Sequence, residues 1–212
     1  MQADNPVIKE IQKRYSVESK NSCDLSCGSN LQHLEITEGD TILDLGCGKG
    51  KETMQAAILA GTTGLAVGLD ITDEMISEAT KSADAAGISN IRFLAANIEE
   101  IPFAEGYFDK ALSNCVINHA KDKKKVYTEI YRVLKINGCF VISDAVTKIP
   151  LPEDIKNDAD AWAQCFGGAV TEEEYLQDIL QAGFEAPEIL KRREYIKNGY
   201  DFISLTLKAY KL

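Results

Sequence analysis

The sequence lacks long apolar runs and is poor in histidine. No apolar stretch among its 212 residues reaches the roughly 18 residues that suggest a membrane-spanning helix. Residues 1–6 show no basic region followed by an apolar stretch, so we expect no secretory signal, no membrane partner and a cytoplasmic location. Only two histidines are present, His33 and His119, which leaves few candidates for a reaction that needs a histidine base.

Positive charge is also scarce. The chain carries 23 Lys and Arg against 33 Asp and Glu, a formal net charge of −10. Binding to a phosphate backbone depends mainly on Lys and Arg, so a nucleic-acid partner is not expected. The basic cluster at residues 121–125 is most simply a solvated helix face. These features favour a small substrate.

Six cysteines are present, but nothing else indicates a disulfide-stabilised secreted domain. The chain is long enough to build its own core, and it has no visible export signal. Reduced thiols are therefore expected. The length suits one domain, or one domain with a small cap.

Short apolar stretches alternate with amphipathic ones, which is typical of βαβ units around a parallel sheet. The sequence predicts strands at residues 41–45, 65–69, 91–94, 108–113, 139–143, 189–195 and 202–210. It predicts helices at residues 51–60, 72–86 and 171–182, the last two capped by Thr72 and Thr171, and another through Trp162. Residues 1–40 lack this rhythm, so we expect an N-terminal leader or cap followed by one domain at 41–212.

A glycine-rich turn follows the first predicted strand. Gly46, Gly48 and Gly50 alternate directly after it, and such a turn lets the backbone approach a ligand closely. Asp44 precedes the first glycine by two residues. A carboxylate there repels a phosphate but binds an ammonium group. This favours S-adenosylmethionine, which has an ammonium and no phosphate, over a dinucleotide.

A second acidic residue supports the same cofactor. Asp70 lies 20 residues after Gly50, at the end of the second predicted strand. A carboxylate in that position accepts hydrogen bonds from both ribose hydroxyls. The alternative is an ordinary turn with a surface aspartate. The order of strand, glycine loop, helix, strand and aspartate argues against it.

With these motifs, residues 36–212 resemble the class I S-adenosylmethionine-dependent methyltransferases. The resemblance implies an α/β fold with a Rossmann-like seven-stranded, mostly parallel sheet and helices on both faces. It implies that residues 97–99 flank the adenine, with an exposed loop as the alternative, and that residues 113–115 face the methyl group. The cofactor residues expected on this basis are Asp44, Gly46, Cys47, Gly48, Gly50, Asp70, Ile71, Asn97, Ile98, Glu99 and Ser113.

Three cysteines lie in segments that could meet over the cofactor. Cys115 follows the fourth predicted strand, Cys165 lies among small residues after the fifth, and Cys27 lies in the leader. Three thiolates suit a soft centre such as trivalent arsenic, whose lone pair could accept a methyl group without a general base. The alternative is that these cysteines are small packing residues.

Several segments are similar to the arsenite methyltransferase family: residues 113–118, 132–135, 143–146, 151–153 and 165–169. That resemblance implies that Cys115, Cys165 and Cys27 bind As(III) as substrate, with a thiol reductant as partner. It also implies that Tyr15, in the pair Arg14-Tyr15, lies near the cofactor. His119 stands where the family often has Leu.

Two other functions compete with arsenite methylation. One is a methyltransferase for a small organic acceptor, such as a quinone-like ring, in which the cysteines only pack. The other is a thiol-based metalloid-binding protein that keeps the fold without turnover. A metalloid-binding protein without turnover would bind arsenite but not S-adenosylmethionine. A methyltransferase for an organic acceptor would bind S-adenosylmethionine, but arsenite would not protect its cysteines from alkylation.

Overall fold

The computed structural model describes residues 6–19 and 30–212 and has a seven-stranded sheet at its centre. The strand order is β3-β2-β1-β4-β5-β7-β6. Neighbours from β3 to β5 run parallel, and β7 runs antiparallel to both β5 and β6. The predicted α/β class with a mostly parallel sheet is confirmed. The predicted division at residue 40 stays a prediction.

The strands are β1 (Thr41–Leu45), β2 (Leu65–Asp70), β3 (Ile91–Ala95), β4 (Phe108–Asn114), β5 (Leu134–Thr147), β6 (Glu188–Lys197) and β7 (Tyr200–Tyr210). The helices are α1 (Pro6–Glu18), α2 (Lys51–Ala60), α3 (Asp73–Ala85), α4 (Lys123–Val133), α5 (Glu153–Lys156), α6 (Ala159–Ala163) and α7 (Glu172–Gln181). Single 3₁₀ turns span Leu31–His33 and Ile117–His119. Among the described residues, none of the helices has the length and apolarity needed to cross a membrane.

Alternate residues of β1, an interior strand, pack into separate cores on the two faces of the sheet. Leu43 and Leu45 of β1 belong to the larger core, with Val126 and Ile130 of α4. Ile42 belongs to the smaller core, with the alanine-rich face of α2. Side chains of a strand point alternately to opposite faces, so an apolar β1 requires cover on both.

The helix starts show which capping predictions hold. Thr171 accepts a hydrogen bond from the Glu174 amide at 3.2 Å, so its predicted cap is confirmed. Thr72 occupies the N-cap position of α3 as predicted, but its side chain makes no capping hydrogen bond. Instead, the Thr72 amide donates to Asp70 Oδ1 at 2.9 Å, which ties the start of α3 to the end of β2.

Two segments differ from the predicted elements. The helix expected through Trp162 is divided into α5 and α6, because the chain leaves helical geometry after Lys156 and Asp158 caps a new start by accepting from the Asp160 amide. The leader, for which no element was predicted, contains α1. This helix packs against α3 and α6.

Candidate active site

A cavity of about 1310 Å³ opens at the carboxyl ends of β1, β2, β4 and β5. This edge is where ligands of open α/β sheets bind. Helix α1 forms one wall through Ile11, Arg14 and Tyr15, and the loop after α6 contributes Cys165. Two described segments that are distant in sequence therefore cover a site built on the sheet.

The glycine loop has the backbone geometry that only glycine adopts easily. Gly46 has φ +70°, and a Cβ there would lie 2.0 Å from Val116 Cγ2. Its amide and that of Cys47 both donate to the Leu69 carbonyl, at 2.7 and 2.9 Å. Gly48 has φ +52° and no atom within 4 Å of where its Cβ would stand, so it leaves open space for a ligand at the cavity wall.

Asp44 is a buried carboxylate on this wall. Its side chain is 4% exposed, and Thr53 Oγ1 donates to Oδ2 at 2.6 Å. Burial raises its pKa to about 7, and the nearby acids Glu52 and Asp70 add to the rise, while the Thr53 hydrogen bond opposes it. A carboxylate held in this way favours a cationic partner, and the ammonium of S-adenosylmethionine fits that requirement.

Asp70 joins the end of β2 to the glycine loop. Its Oδ2 accepts from the Gly48 amide at 3.0 Å and its Oδ1 accepts from the Thr72 amide at 2.9 Å. Burial raises its pKa, and these backbone hydrogen bonds oppose the rise. Each carboxylate oxygen has more than one acceptor position, so Asp70 can still bind ribose hydroxyls at the cavity wall.

The loop after β3 lines the cavity as predicted, but its side chains differ in role. Ile98 is 8% exposed and supplies an apolar wall. Asn97 Oδ1 accepts from the Glu99 amide at 2.9 Å. Glu99 Oε1 accepts from the Lys121 amide at 2.8 Å, so this carboxylate fastens the loop that precedes α4.

Two predicted cofactor residues lie away from the cavity wall. Gly50 is the residue before α2, and a Cβ there would meet Phe93 at 2.5 Å, so it shapes the turn. Ser113 is fully buried, and its hydroxyl donates to the Leu45 carbonyl at 3.2 Å inside the sheet. The other predicted cofactor residues line the cavity: Tyr15, Asp44, Gly46, Cys47, Gly48, Asp70, Ile71, Asn97, Ile98 and Glu99.

The structure brings two of the three predicted arsenic-binding cysteines to the same cavity. Cys115 and Cys165 both line it, and Cys27 lies outside the described residues. Cys115 is disulfide-bonded, so the expectation of reduced thiols is wrong for this residue, whereas Cys165 is a free thiol. Within residues 6–19 and 30–212, no group of three His, Cys, Asp or Glu side chains has the geometry of a metal site.

Both cysteines have a left-handed backbone. Cys115 has φ +56° and Cys165 has φ +63°, a region that costs a residue with a Cβ roughly 1–2 kcal/mol. The Cys115 amide donates to the Ser143 carbonyl at 2.8 Å, and the Cys165 amide donates to the Trp162 carbonyl at 3.0 Å. Such strain persists where the surroundings fix the backbone, and it is common at functional sites.

Cys165 belongs to a close group with Tyr15 and His119. The Cys165 Sγ lies 3.0 Å from His119 Nε2 and 3.1 Å from the Tyr15 hydroxyl. The same hydroxyl lies 3.0 Å from Nε2. Burial lowers the pKa of His119 to about 4, so its imidazole is neutral at pH 7. Burial raises the pKa of the Cys165 thiol, which is therefore protonated.

Sequence reasoning gave no role to Asp144, which also lines the cavity. Its Oδ1 accepts from Asn118 Nδ2 at 2.7 Å and from the Ala145 amide at 2.9 Å. Burial raises its pKa to about 6. A polar pair, Ser143 and Asp144, directly after the apolar residues 139–142 was the signal that could have indicated it.

Comparison with known proteins agrees with this geometry. A family model described as a methyltransferase domain matches residues 36–189. An arsenite methyltransferase of Halobacterium salinarum is 36% identical over 170 residues, which cover 80% of this chain and 44% of that protein. The arsenite methyltransferase of Mus musculus is 32% identical over 204 residues, which cover 87% of this chain and 54% of that protein.

A solved structure shows the same fold across nearly the whole chain. An arsenic(III) S-adenosylmethionine methyltransferase from Chlamydomonas reinhardtii superposes with a TM-score of 0.78 and 27% identity, covering 98% of this chain and 74% of that one. The chain spans about half the length of the curated relatives it matches. From the family match, the shared fold and the glycine loop with its two aspartates, we conclude that the chain belongs to the methyltransferase-domain family, as a class I S-adenosylmethionine-dependent methyltransferase similar to the arsenite methyltransferases.

Proposed function

We propose that the protein transfers a methyl group from S-adenosylmethionine to trivalent arsenic held by cysteine thiolates. The observation that carries this proposal is the presence of Cys115 and Cys165 in the wall of the cofactor cavity. The similarity to arsenite methyltransferases supports the same substrate. We include Cys27 as the third arsenic-binding thiol.

The cofactor is held by groups of this chain that fit its two ends. Asp44 binds the ammonium, and its burial strengthens that ion pair because little water competes. Asp70 binds the ribose hydroxyls, and Ile98 and Tyr15 cover the site. When bound, S-adenosylmethionine supplies a methyl group on a sulfonium, an electrophile that the As(III) lone pair attacks without a general base.

The thiols bind As(III) by exchange with its hydroxide groups. The Cys165 S–H bond and one As–OH bond break, an S–As bond forms, and the proton leaves with the hydroxide as water. Cys115 must first be released from its disulfide, since only a thiol or thiolate can bond to arsenic. The reaction therefore requires a thiol reductant.

The direct test is an assay with the purified chain, S-adenosylmethionine, arsenite and a thiol reductant. We expect methylarsenicals, separated by chromatography and detected by arsenic mass spectrometry, well above a control without enzyme. Cys165→Ser and Cys115→Ser should each lower the rate by about 100-fold, because oxygen is a poor ligand for a thiophilic centre.

Cys139→Ala is the matched control for these variants. Cys139 is buried on β5 and does not line the cavity, so its loss should leave methylation unchanged. Absence of any methylarsenical in the complete assay would contradict the proposal. Full activity in Cys165→Ser would remove that residue from the mechanism.

A second candidate, methylation of a small organic acceptor such as a quinone-like ring, is favoured by the size of the cavity. About 1310 Å³ exceeds the roughly 300–1,000 Å³ of an ordinary ligand pocket, which leaves room beside the cofactor. The two candidates differ in whether bound arsenite should protect the cavity cysteines from alkylation. If arsenite fails to protect Cys115 and Cys165 of the reduced protein from alkylation, the organic acceptor is favoured.

A further inference from the structure

We propose that His119 is a positioning residue that, together with Tyr15, holds the Cys165 sulfur toward the cofactor cavity. This inference rests on the proposed function, because it assigns Cys165 to substrate binding. It goes further by giving a role to one of the only two histidines in the chain.

The three polar atoms form a closed triangle whose sides are all hydrogen-bonding distances. The sides measure 3.0 Å from Nε2 to Sγ, 3.0 Å from Nε2 to the Tyr15 hydroxyl and 3.1 Å from that hydroxyl to Sγ. The Tyr15 and His119 rings also meet edge to face, with centroids 5.5 Å apart. A sulfur in this triangle is restrained from two directions at once.

Each corner of the triangle is fixed by a different part of the fold. Tyr15 is on α1, where the neighbouring Arg14 donates to the Ala163 carbonyl. His119 is the last residue of a 3₁₀ turn. Asn118, which precedes it in that turn, is hydrogen-bonded to the buried Asp144. Cys165 follows α6 with its left-handed backbone. Side chains held by separate packed elements form a preorganised site.

One side of the triangle, between Tyr15 and His119, stays hydrogen-bonded when the sulfur bonds to arsenic. In the free protein the neutral imidazole can accept at Nε2 from the Cys165 S–H or from the Tyr15 O–H. Exchange onto As(III) removes the thiol proton, which leaves as water with the displaced hydroxide. Nε2 then accepts from Tyr15 alone. The Tyr15–His119 hydrogen bond then keeps both side chains in place beside the arsenic-bound sulfur.

His119→Leu and His119→Gln separate hydrogen bonding from simple packing. Leu fills a similar volume without an acceptor, whereas the Gln side-chain oxygen can accept in place of Nε2. We expect His119→Leu to lower kcat/KM for arsenite by about tenfold, the effect of losing one buried hydrogen bond. His119→Gln should recover most of that loss, and the dissociation constant of S-adenosylmethionine, measured by calorimetry, should change by less than about twofold in both, since Asp44 and Asp70, the groups proposed to hold the two ends of the cofactor, are unchanged.

A second readout needs no arsenic. The rate of Cys165 alkylation by iodoacetamide, measured by peptide mass spectrometry, should change by about fivefold or more in His119→Leu and return toward the wild-type rate in His119→Gln, because the hydrogen bond that holds Sγ in place is lost and then replaced. His33→Leu is the matched control: His33 pairs with Gln32 outside the cavity, so both readouts should match the wild type.

The outcomes distinguish this inference from the proposed function. If no methylarsenical forms with the wild type, arsenite methylation fails, and the alkylation series still tests the triangle. Wild-type alkylation and kinetics in His119→Leu would overturn the positioning role. Equal losses in His119→Leu and His119→Gln would overturn it as well, since that result indicates packing alone.

Discussion

At the scale of single residues, Asp44 is subject to two opposing effects. Burial favours its protonated form, whereas binding of an ammonium group requires the carboxylate. Without a cation nearby, burial raises its pKa to about 7, so much of the side chain is protonated at neutral pH. The ammonium of the cofactor requires the ionised form. Cofactor binding and loss of a proton from Asp44 are therefore linked.

The affinity for S-adenosylmethionine should consequently depend on pH. It should fall by about tenfold per pH unit below pH ~7 and change little just above it, because the proton must leave before the ammonium binds. Calorimetry between about pH 5.5 and 7.5 measures this dependence. An α-amino group has a pKa of roughly 7.7–8.0, so the cofactor's ammonium stays mostly protonated in that range. A flat profile would show that Asp44 stays ionised without the cofactor.

Asp44→Asn should separate affinity from stability. We expect weaker cofactor binding by about 30-fold, since a charge-assisted hydrogen bond is replaced by a neutral one. The folded protein holds the Asp44 proton more tightly than the unfolded chain, so this residue lowers stability as pH rises from about 4 to about 7. Without cofactor at pH 8, the variant should be more stable by up to about 4 kcal/mol, measured by urea denaturation. A less stable variant would contradict the argument.

The residues of the site differ in how well the sequence predicted them. Asp44 and Asp70 were predictable because their positions follow from strand ends and a glycine turn beside them in sequence. The contact between Cys165 and His119 was not, since 46 residues separate them and the approach depends on the left-handed turn at Cys165. Ser113 lies on the predicted strand, but the side it faces depends on packing that the sequence does not reveal.

At the scale of secondary structure, the strands were easier to predict than the helices that cover the cavity. Buried parallel strands are nearly continuous apolar runs between turn residues, and these patterns are local. Helix α1 has apolar residues at helical spacing, at Val7, Ile8, Ile11 and Tyr15, but only Ile11 is buried, so the pattern does not reveal what the helix packs against. It packs against α6 and lines the cavity, and both are brought near it only when the chain folds.

Helix α1 should become more protected when the cofactor binds. Gln12 donates to the Ile71 carbonyl at 3.0 Å and Ser16 donates to Glu74 at 2.8 Å, so α1 is tied to the β2–α3 region beside Asp70. Ile11 and Tyr15 also line the cavity and gain contacts when it fills. We expect amide hydrogen exchange in α1 to slow by about tenfold or more with saturating S-adenosylmethionine.

Helix α7 provides the internal control for that measurement. It is of similar length and packs on α4 and β5, and its residues do not line the cavity. Its exchange should change only as far as global stability does. If α3 gains protection while α1 exchanges at its original rate, α1 does not close on the cofactor.

At the scale of the whole molecule, one bound cofactor joins parts of the chain that are far apart in sequence. The cavity wall draws on α1, the glycine loop, the ends of β2 and β4 and the loop after α6. A ligand that binds only the folded state stabilises it by about 2.7 kcal/mol at 100 times its dissociation constant. For a domain of this size each kcal/mol raises the Tm by about 2–4 °C, so we expect an increase of about 5–11 °C.

The same measurement should discriminate against dinucleotides. NAD presents a pyrophosphate to the glycine loop, where the Asp44 carboxylate and a net charge of −10 both oppose it. We expect S-adenosylmethionine to raise the Tm and NAD at equal concentration to shift it by less than about 1 °C, because binding is required for stabilisation. Asp44→Asn should lose most of the increase with S-adenosylmethionine. An equal shift with NAD would mean that the loop, rather than the acid before it, determines which cofactor binds.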